Sequence, residues 1–170
     1  MKKSILFLVC SILGSSMAFA GATTSVNAQS VSQGNYAQVT EDTPLYNQNG
    51  DKINVAVEKN SQWQITNKTK DIDGTKYFQV APNQYLSSDT SFAYKKRHMT
   101  VKVESSDNDG AVRVYDHNLV QKTDVSVASG TRWYTDIAIN TSNAVPFLRI
   151  GPDEYVSMVD VTEQQFSATV

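Results

Sequence analysis

An all-β protein of two tandem, small barrel-like units behind an export signal is what the sequence predicts, and three observations carry that expectation. Apolar and polar residues alternate with period two, Asn-Gly and Asp-Gly pairs interrupt the alternation, and the second half of the chain repeats the first. At 170 residues the chain has room for one medium domain or two small ones, which excludes a large multidomain enzyme. Hydrophobic residues make up 40% and charged residues 19% with both signs mixed, the balance of a chain that folds, not of a disordered or coiled-coil one.

Lys2 and Lys3 followed by the apolar run 4–13 and then by small residues form an export signal. Ala18-Phe19-Ala20 and Val26-Asn27-Ala28 both satisfy the small-x-small cleavage rule; the longer, Thr-rich approach favours cutting after Ala28, with Ala20 as the alternative. The apolar run is shorter than the roughly 20 residues a bilayer span requires, so no membrane span is expected in the mature chain. The single cysteine, Cys10, lies inside the signal behind Val9, too large a neighbour for a lipoprotein signal. The mature chain therefore relies on its core and turns, not on disulfides. Without Lys2 and Lys3 there are 15 − 2 = 13 basic against 17 acidic side chains, a net charge of −4 that disfavours nucleic acid as a partner.

The repeat appears at a shift of 70. YFQVAPNQYL, 77–86, lies over FLRIGPDEYV, 147–156, and Trp63 lies over Trp133; a shift of 69 places Leu45-Tyr46 over Val114-Tyr115. The expected organisation is a signal peptide over 1–28, a loose segment over 29–35 and a first unit over 36–92. A basic linker over 93–98, a second unit over 99–163 and a tail over 164–170 complete it. Expected strands in the first unit are 37–40, 44–47, 53–57, 62–66, 75–80 and 84–86, with hairpin turns at Asn49-Gly50 and Asp73-Gly74, where Asn, Asp and Gly tolerate positive φ. In the second they are 100–104, 112–115, 124–127, 132–139, 147–150 and 155–156. Five or six short strands in so small a unit favour a barrel of the Src-homology-3 type, since closure removes exposed edges.

A hydrolase needs a nucleophile and a base, and the mature chain offers no cysteine and only His98, in the basic run, and His117, in a turn. No zinc-ligand spacing, Gly-rich phosphate loop or nucleophile elbow is present, so neither catalytic residues nor a cofactor is expected. Ser105-x-Asp107-x-Asp109-Gly110 with Asp116 resembles a degenerate calcium loop, but its strand-like flanks favour a plain turn, and no metal site is expected. Asn67-Lys68-Thr69 and Asn140-Thr141-Ser142 match the glycosylation pattern by chance. The recurring aromatics Tyr46, Trp63, Tyr77, Tyr85, Tyr115, Trp133, Phe147 and Tyr155 are expected chiefly in the cores, with Tyr85 and Tyr155 showing an edge to solvent.

The segments LYNQNGDK and VYDHNLVQK, the turn IDGTKYFQV and the ending Val/Ile-x-Pro-x-x-Tyr-Leu/Val together resemble the surface-layer-associated protein repeat of lactobacilli, in two copies. The signal ending ATTSVNA resembles those of exported lactobacillar proteins. The resemblance implies a secreted, cell-wall-associated protein without enzymatic activity, whose paired repeats bind cell-wall polysaccharide or teichoic acid noncovalently. Family repeats are usually lysine-rich, whereas the first unit here carries 5 Lys against 7 acids and the second 5 Lys/Arg against 10. Attraction for a polyanion therefore has to come from a local patch, and Lys95, Lys96 and Arg97, joined by Tyr85 and Tyr155, are the expected polymer-binding residues. The absence of an LPxTG signal makes any expected attachment noncovalent. The alternative is a released effector or a structural surface subunit that binds other surface proteins through a sheet edge.

Overall fold

The computed structural model describes residues 35–140 and 145–167. The expected export signal, both cleavage sites and the glycosylation-like Thr141-Ser142 lie outside them.

The chain is built from strands in order: β1 (Tyr36–Val39), β2 (Thr43–Tyr46), β3 (Lys52–Val57), β4 (Gln62–Gln64), β5 (Thr69–Ile72), β6 (Thr75–Ala81) and β7 (Gln84–Ser87). There follow β8 (Ser91–Val103), β9 (Ala111–Tyr115), β10 (Gln121–Ala128), β11 (Arg132–Asn140), β12 (Pro146–Gly151) and β13 (Glu154–Ser157). A 3-10 turn over Met158–Asp160 then leads into β14 (Val161–Phe166). The all-β class is as expected, but the strands do not close into barrels. They form one sheet in the order β10-β9-β13-β12-β11-β8-β1-β4, with β14 on β8, and a second in the order β3-β2-β7-β6-β5.

The turns follow the local chemistry. Asp73 at φ 51° and Gly74 at φ 82° give both centre positions of the β5–β6 hairpin the positive φ that its tight two-residue turn needs. Asn47 closes the β2–β3 turn by accepting from the N–H groups of Asn49 and Asp51 at 2.8 and 3.0 Å. Asp116 closes the β9–β10 turn in the same way, accepting from Asn118 and Val120 at 2.8 and 2.9 Å. An Asx side chain here supplies the acceptor that the turning backbone lacks.

Strand pairing repeats between the two halves. Ala37 faces Trp63 as Val101 faces Trp133, and Tyr46 faces Tyr85 as Tyr115 faces Tyr155. Phe78 faces Leu86 as Leu148 faces Val156. Even the aromatic edge contacts recur, Tyr46 on Tyr77 with centroids 5.3 Å apart and Tyr115 on Phe147 at 5.0 Å.

Three elements depart from expectation. Residues 93–98, expected as a linker, run through the middle of β8, one continuous strand of 13 residues. Its basic run hides the alternation that the flanking residues show, with Ala93, Tyr94 and Met99 buried and Lys96 to His98 exposed. β5 was not expected at all, because Thr69, Lys70 and Asp71 are exposed and present no apolar face to read. The tail expected from residue 164 begins instead as the end of β14.

β8 also explains why the halves are not separate bodies. Its first part pairs with β1 on one side and with the end of β11 on the other. The larger core cluster accordingly mixes Leu45, Phe78, Ala93 and Tyr94 from before residue 95 with Ile137, Ile139 and Tyr155 from beyond it. The smaller cluster, with Val101, Val103, Val114 and Leu148, lies wholly in the later half. Burial of such side chains contributes about 1.5–3 kcal/mol each, so the shared cluster ties the two halves together.

Candidate functional site

The basic run is displayed by a defect in strand register. Lys95 and Lys96 face Ala138 and Ile137 on β11, but the next pairing is Met99 with Thr135, so Arg97 and His98 together oppose the single residue Asp136. A bulge of this kind breaks the in-out alternation. Lys96, Arg97 and His98 consequently all face solvent in succession, while Lys95 is half-buried.

Aromatic side chains flank the bulge on both sides. The Lys96 ammonium lies 4.3 Å from the centroid of the Tyr36 ring, which itself stacks on Tyr94 at 5.7 Å. This places a cation on a π face, an arrangement worth about 0.5–1 kcal/mol at an exposed site. On the other side His98 Nδ1 and the Tyr134 hydroxyl are 2.7 Å apart, and the Tyr134 ring is 55% exposed. Ser167 N–H donates to the His98 carbonyl at 3.0 Å and ties the chain beyond β14 to the bulge.

The acid nearest in register is already engaged. Asp136 accepts from Arg149 Nε at 3.0 Å and from Arg149 Nη2, and Arg149 Nη1 reaches Gln38 on β1 at 3.3 Å. None of Lys95, Lys96 and Arg97 takes part in an ion pair among the described residues. Further along the same strands, Lys102 is held by Glu104 at 2.7 Å, which keeps its ammonium above the ordinary pKa, and Arg132 by Glu163 at 2.5 Å. Those two cations are neutralised in place; the bulge cations are not.

Tyr85 and Tyr155 do not join this group. Tyr85 is 6% and Tyr155 1% exposed, so the expected solvent-facing edge is absent. Pairing with Tyr46 and Tyr115 draws each into the sheet, and Phe92 meets the Tyr155 ring edge-on at 6.3 Å. Burial raises the Tyr155 hydroxyl pKa well above the ordinary tyrosine value. The aromatics that do stand beside the cations, Tyr36 and Tyr134, were not singled out in the sequence. Tyr134 was detectable in principle: Arg132, Tyr134 and Asp136 share one parity in β11, opposite to the buried Thr135 and Ile137.

The other motifs resolve into turns. Asp109 accepts from Ser105 Oγ and from Ala111 N–H, and Asp107 pairs with Arg113, so the calcium-like loop spends its carboxylates on its own chain. The Ser105 hydroxyl chiefly holds the Asp109 carboxyl below its usual pKa. Among the described residues no group of three His, Cys, Asp or Glu side chains is placed to hold a metal ion. His117 sits in its turn with Nδ1 2.7 Å from Asp153 and its ring stacked on Phe92. No helix among the described residues is long and apolar enough to cross a membrane.

This is the geometry of a β-repeat protein with a basic display strand at its joint. Residues 28–87 match the Surface layer protein A domain, from the chain ahead of β1 to the last residue of β7. The match agrees with the surface-layer-associated repeat that the sequence resembles and covers the earlier of the two halves. No curated protein matches the chain.

Proposed function

We propose that the chain is a secreted, non-enzymatic surface protein that holds a teichoic-acid-like wall polymer noncovalently at the joint between its halves. The two tandem repeats supply the frame, and Lys96 and Arg97, with Lys95 behind them, supply the charge. The observation that carries the reading is the bulge opposite Asp136, which turns consecutive cations outward while Arg149 occupies the acid that would otherwise quench them. Tyr134 borders the same strand and offers an exposed ring to a sugar or polyol backbone, while Tyr36, stacked on Tyr94, holds the Lys96 ammonium over its own ring. A polymer lying along β8 would touch elements of both halves, and linked contacts of this kind add more than either does alone. The proposed surface is small, and the wall presents many copies of its repeating anion, so retention comes from repeated engagement and not from one deep pocket.

Purified protein mixed with cell-wall sacculi, before and after extraction of teichoic acids, tests the proposal. Sedimentation with intact sacculi that is lost on extraction supports it. Equal sedimentation with both preparations, or with neither, would overturn it.

A further inference from the structure

The repeat leaves one relationship half used. Within the chain, the first part of β8 adds to the edge of β11, Lys95 facing Ala138 and Lys96 facing Ile137. The counterpart of that β11 edge in the earlier half is β5, because Thr69 faces Phe78 as Ala138 faces Leu148. β5 pairs with β6 alone among the described residues and forms an open end of the five-stranded sheet. The counterpart of the first part of β8 is β14, since Ala93 faces Ala37 as Gln164 faces Val101. Among the described residues β14 pairs with β8 alone, its residues from Thr162 onward are exposed, and Phe166 is 67% exposed. The donor strand and the acceptor edge of the same joint are therefore both present a second time, at opposite ends of the repeat, each with one edge unpaired among the described residues.

From this we propose that copies of the chain associate head to tail, β14 of one molecule adding to β5 of the next in the register that β8 keeps with β11 inside each molecule. The inference is independent of wall binding. The side chains that would meet are changed in a complementary way. At the internal joint Phe92 lies on His117 and Tyr155. Glu163 takes the place of Phe92, facing Lys102 as Phe92 faces Gln38; within its own chain it pairs with Arg132 at 2.5 Å and Lys102 at 3.6 Å, so a Lys70 ammonium from the next copy would add a further cation to this carboxylate. On the acceptor side Lys70 covers the counterparts of His117 and Tyr155, donating to the Gln48 carbonyl at 3.0 Å with its ammonium 5.9 Å from the Tyr85 centroid. An apolar plug inside the molecule thus becomes a carboxylate on one copy and an ammonium on the next. Charges on β5 guard the edge against indiscriminate pairing, while this one partner answers them. Donor and acceptor occupy different surfaces, so the contact is heterologous and adds subunits without self-closure as a two-fold dimer.

Sedimentation velocity of the purified protein over a rising concentration series, with no wall polymer present, tests this. The expected result is a mean mass that climbs past the dimer. Lys70→Glu should weaken association about tenfold, as should Glu163→Lys, and an equimolar mixture of the two variants should form mixed pairs that the single variants do not. Circular dichroism checks that each variant is folded; both positions are exposed. A monomer at every concentration, a mass that stops at the dimer, or association indifferent to both charge reversals would overturn the proposal. Retention of assembly by a Lys96→Gln, Arg97→Gln variant separates it from the wall-binding reading.

Discussion

Arg149 and Asp136 meet fork to fork from neighbouring strands β12 and β11, and the remaining nitrogen of Arg149 reaches Gln38 on β1. A guanidinium 20% exposed and a carboxylate 36% exposed form a pair too sheltered to be fully screened and too open to carry a full desolvation penalty. Arg149→Ala should therefore cost about 1–3 kcal/mol, since it also orphans Gln38, and Asp136→Ala about the same. A double-mutant cycle by urea unfolding should return a coupling of roughly 1 kcal/mol. Additive losses would show that the fork contributes no coupling.

Close to that pair, Tyr94 is wholly buried and its hydroxyl has no hydrogen-bond partner among the described residues. Burial pushes its pKa up to about 12 from 10.0. A raised acid pKa means that the folded state prefers the neutral phenol, so this contribution is complete below pH 10.0 and is lost as the pH rises toward about 12. Tyr94→Phe removes an unpaired polar atom and keeps the ring, so it should leave stability at neutral pH unchanged or raise it by about 1 kcal/mol. In an alkaline titration followed by circular dichroism, the variant should unfold at higher pH than the wild-type protein. An earlier alkaline transition in the variant would contradict this.

The period-two pattern and the Asx-Gly turns made most strands and the duplication legible in the sequence, because each half-buried strand carries its own alternation. Closure was not legible. Whether a curled sheet meets itself depends on edge-to-edge pairing across the molecule, here taken by β8, which serves both halves. The basic run was found by composition, but its display was not, since a bulge depends on the register between Met99 and Thr135 and on nothing local to Lys96. Tyr85 and Tyr155 misled because adjacent Pro turns suggest exposure, while the buried position comes from cross-strand pairing with Tyr46 and Tyr115.

Trp63 and Trp133 provide a test of the duplication at the level of energy. Each indole N–H donates to the hydroxyl two residues earlier, Ser61 at 3.0 Å and Thr131 at 2.8 Å, and both rings are half-buried. Replacement of either by Phe should cost about 0.5–1.5 kcal/mol, mainly the lost hydrogen bond. Replacement by Ala should cost less than the roughly 3–5 kcal/mol of a fully buried ring. Thermal unfolding should show the two sites within about 1 kcal/mol of each other. A large asymmetry would mean that equivalent pairing hides unequal packing.

A binding site at the bulge and mere net charge respond differently to substitution. Because the chain is net acidic, removal of any three cations lowers attraction for a polyanion through the overall field, so a loss of binding by a Lys95, Lys96, Arg97 triple Gln variant is not by itself diagnostic. The control removes the same charge elsewhere: Lys52, Lys59 and Lys68, all exposed and outside β8, changed together to Gln. Long-range effects are screened beyond about 8 Å at physiological ionic strength, whereas contacts at the bulge are not. At that ionic strength the β8 triple should lose about tenfold in affinity for teichoic-acid-bearing sacculi and show a flatter salt dependence, and the control triple should change by no more than about twofold. Tyr134→Ala, which leaves the charge untouched, should weaken binding without altering the salt slope. Equal losses from both triples would assign the attraction to net charge and remove the bulge from the site.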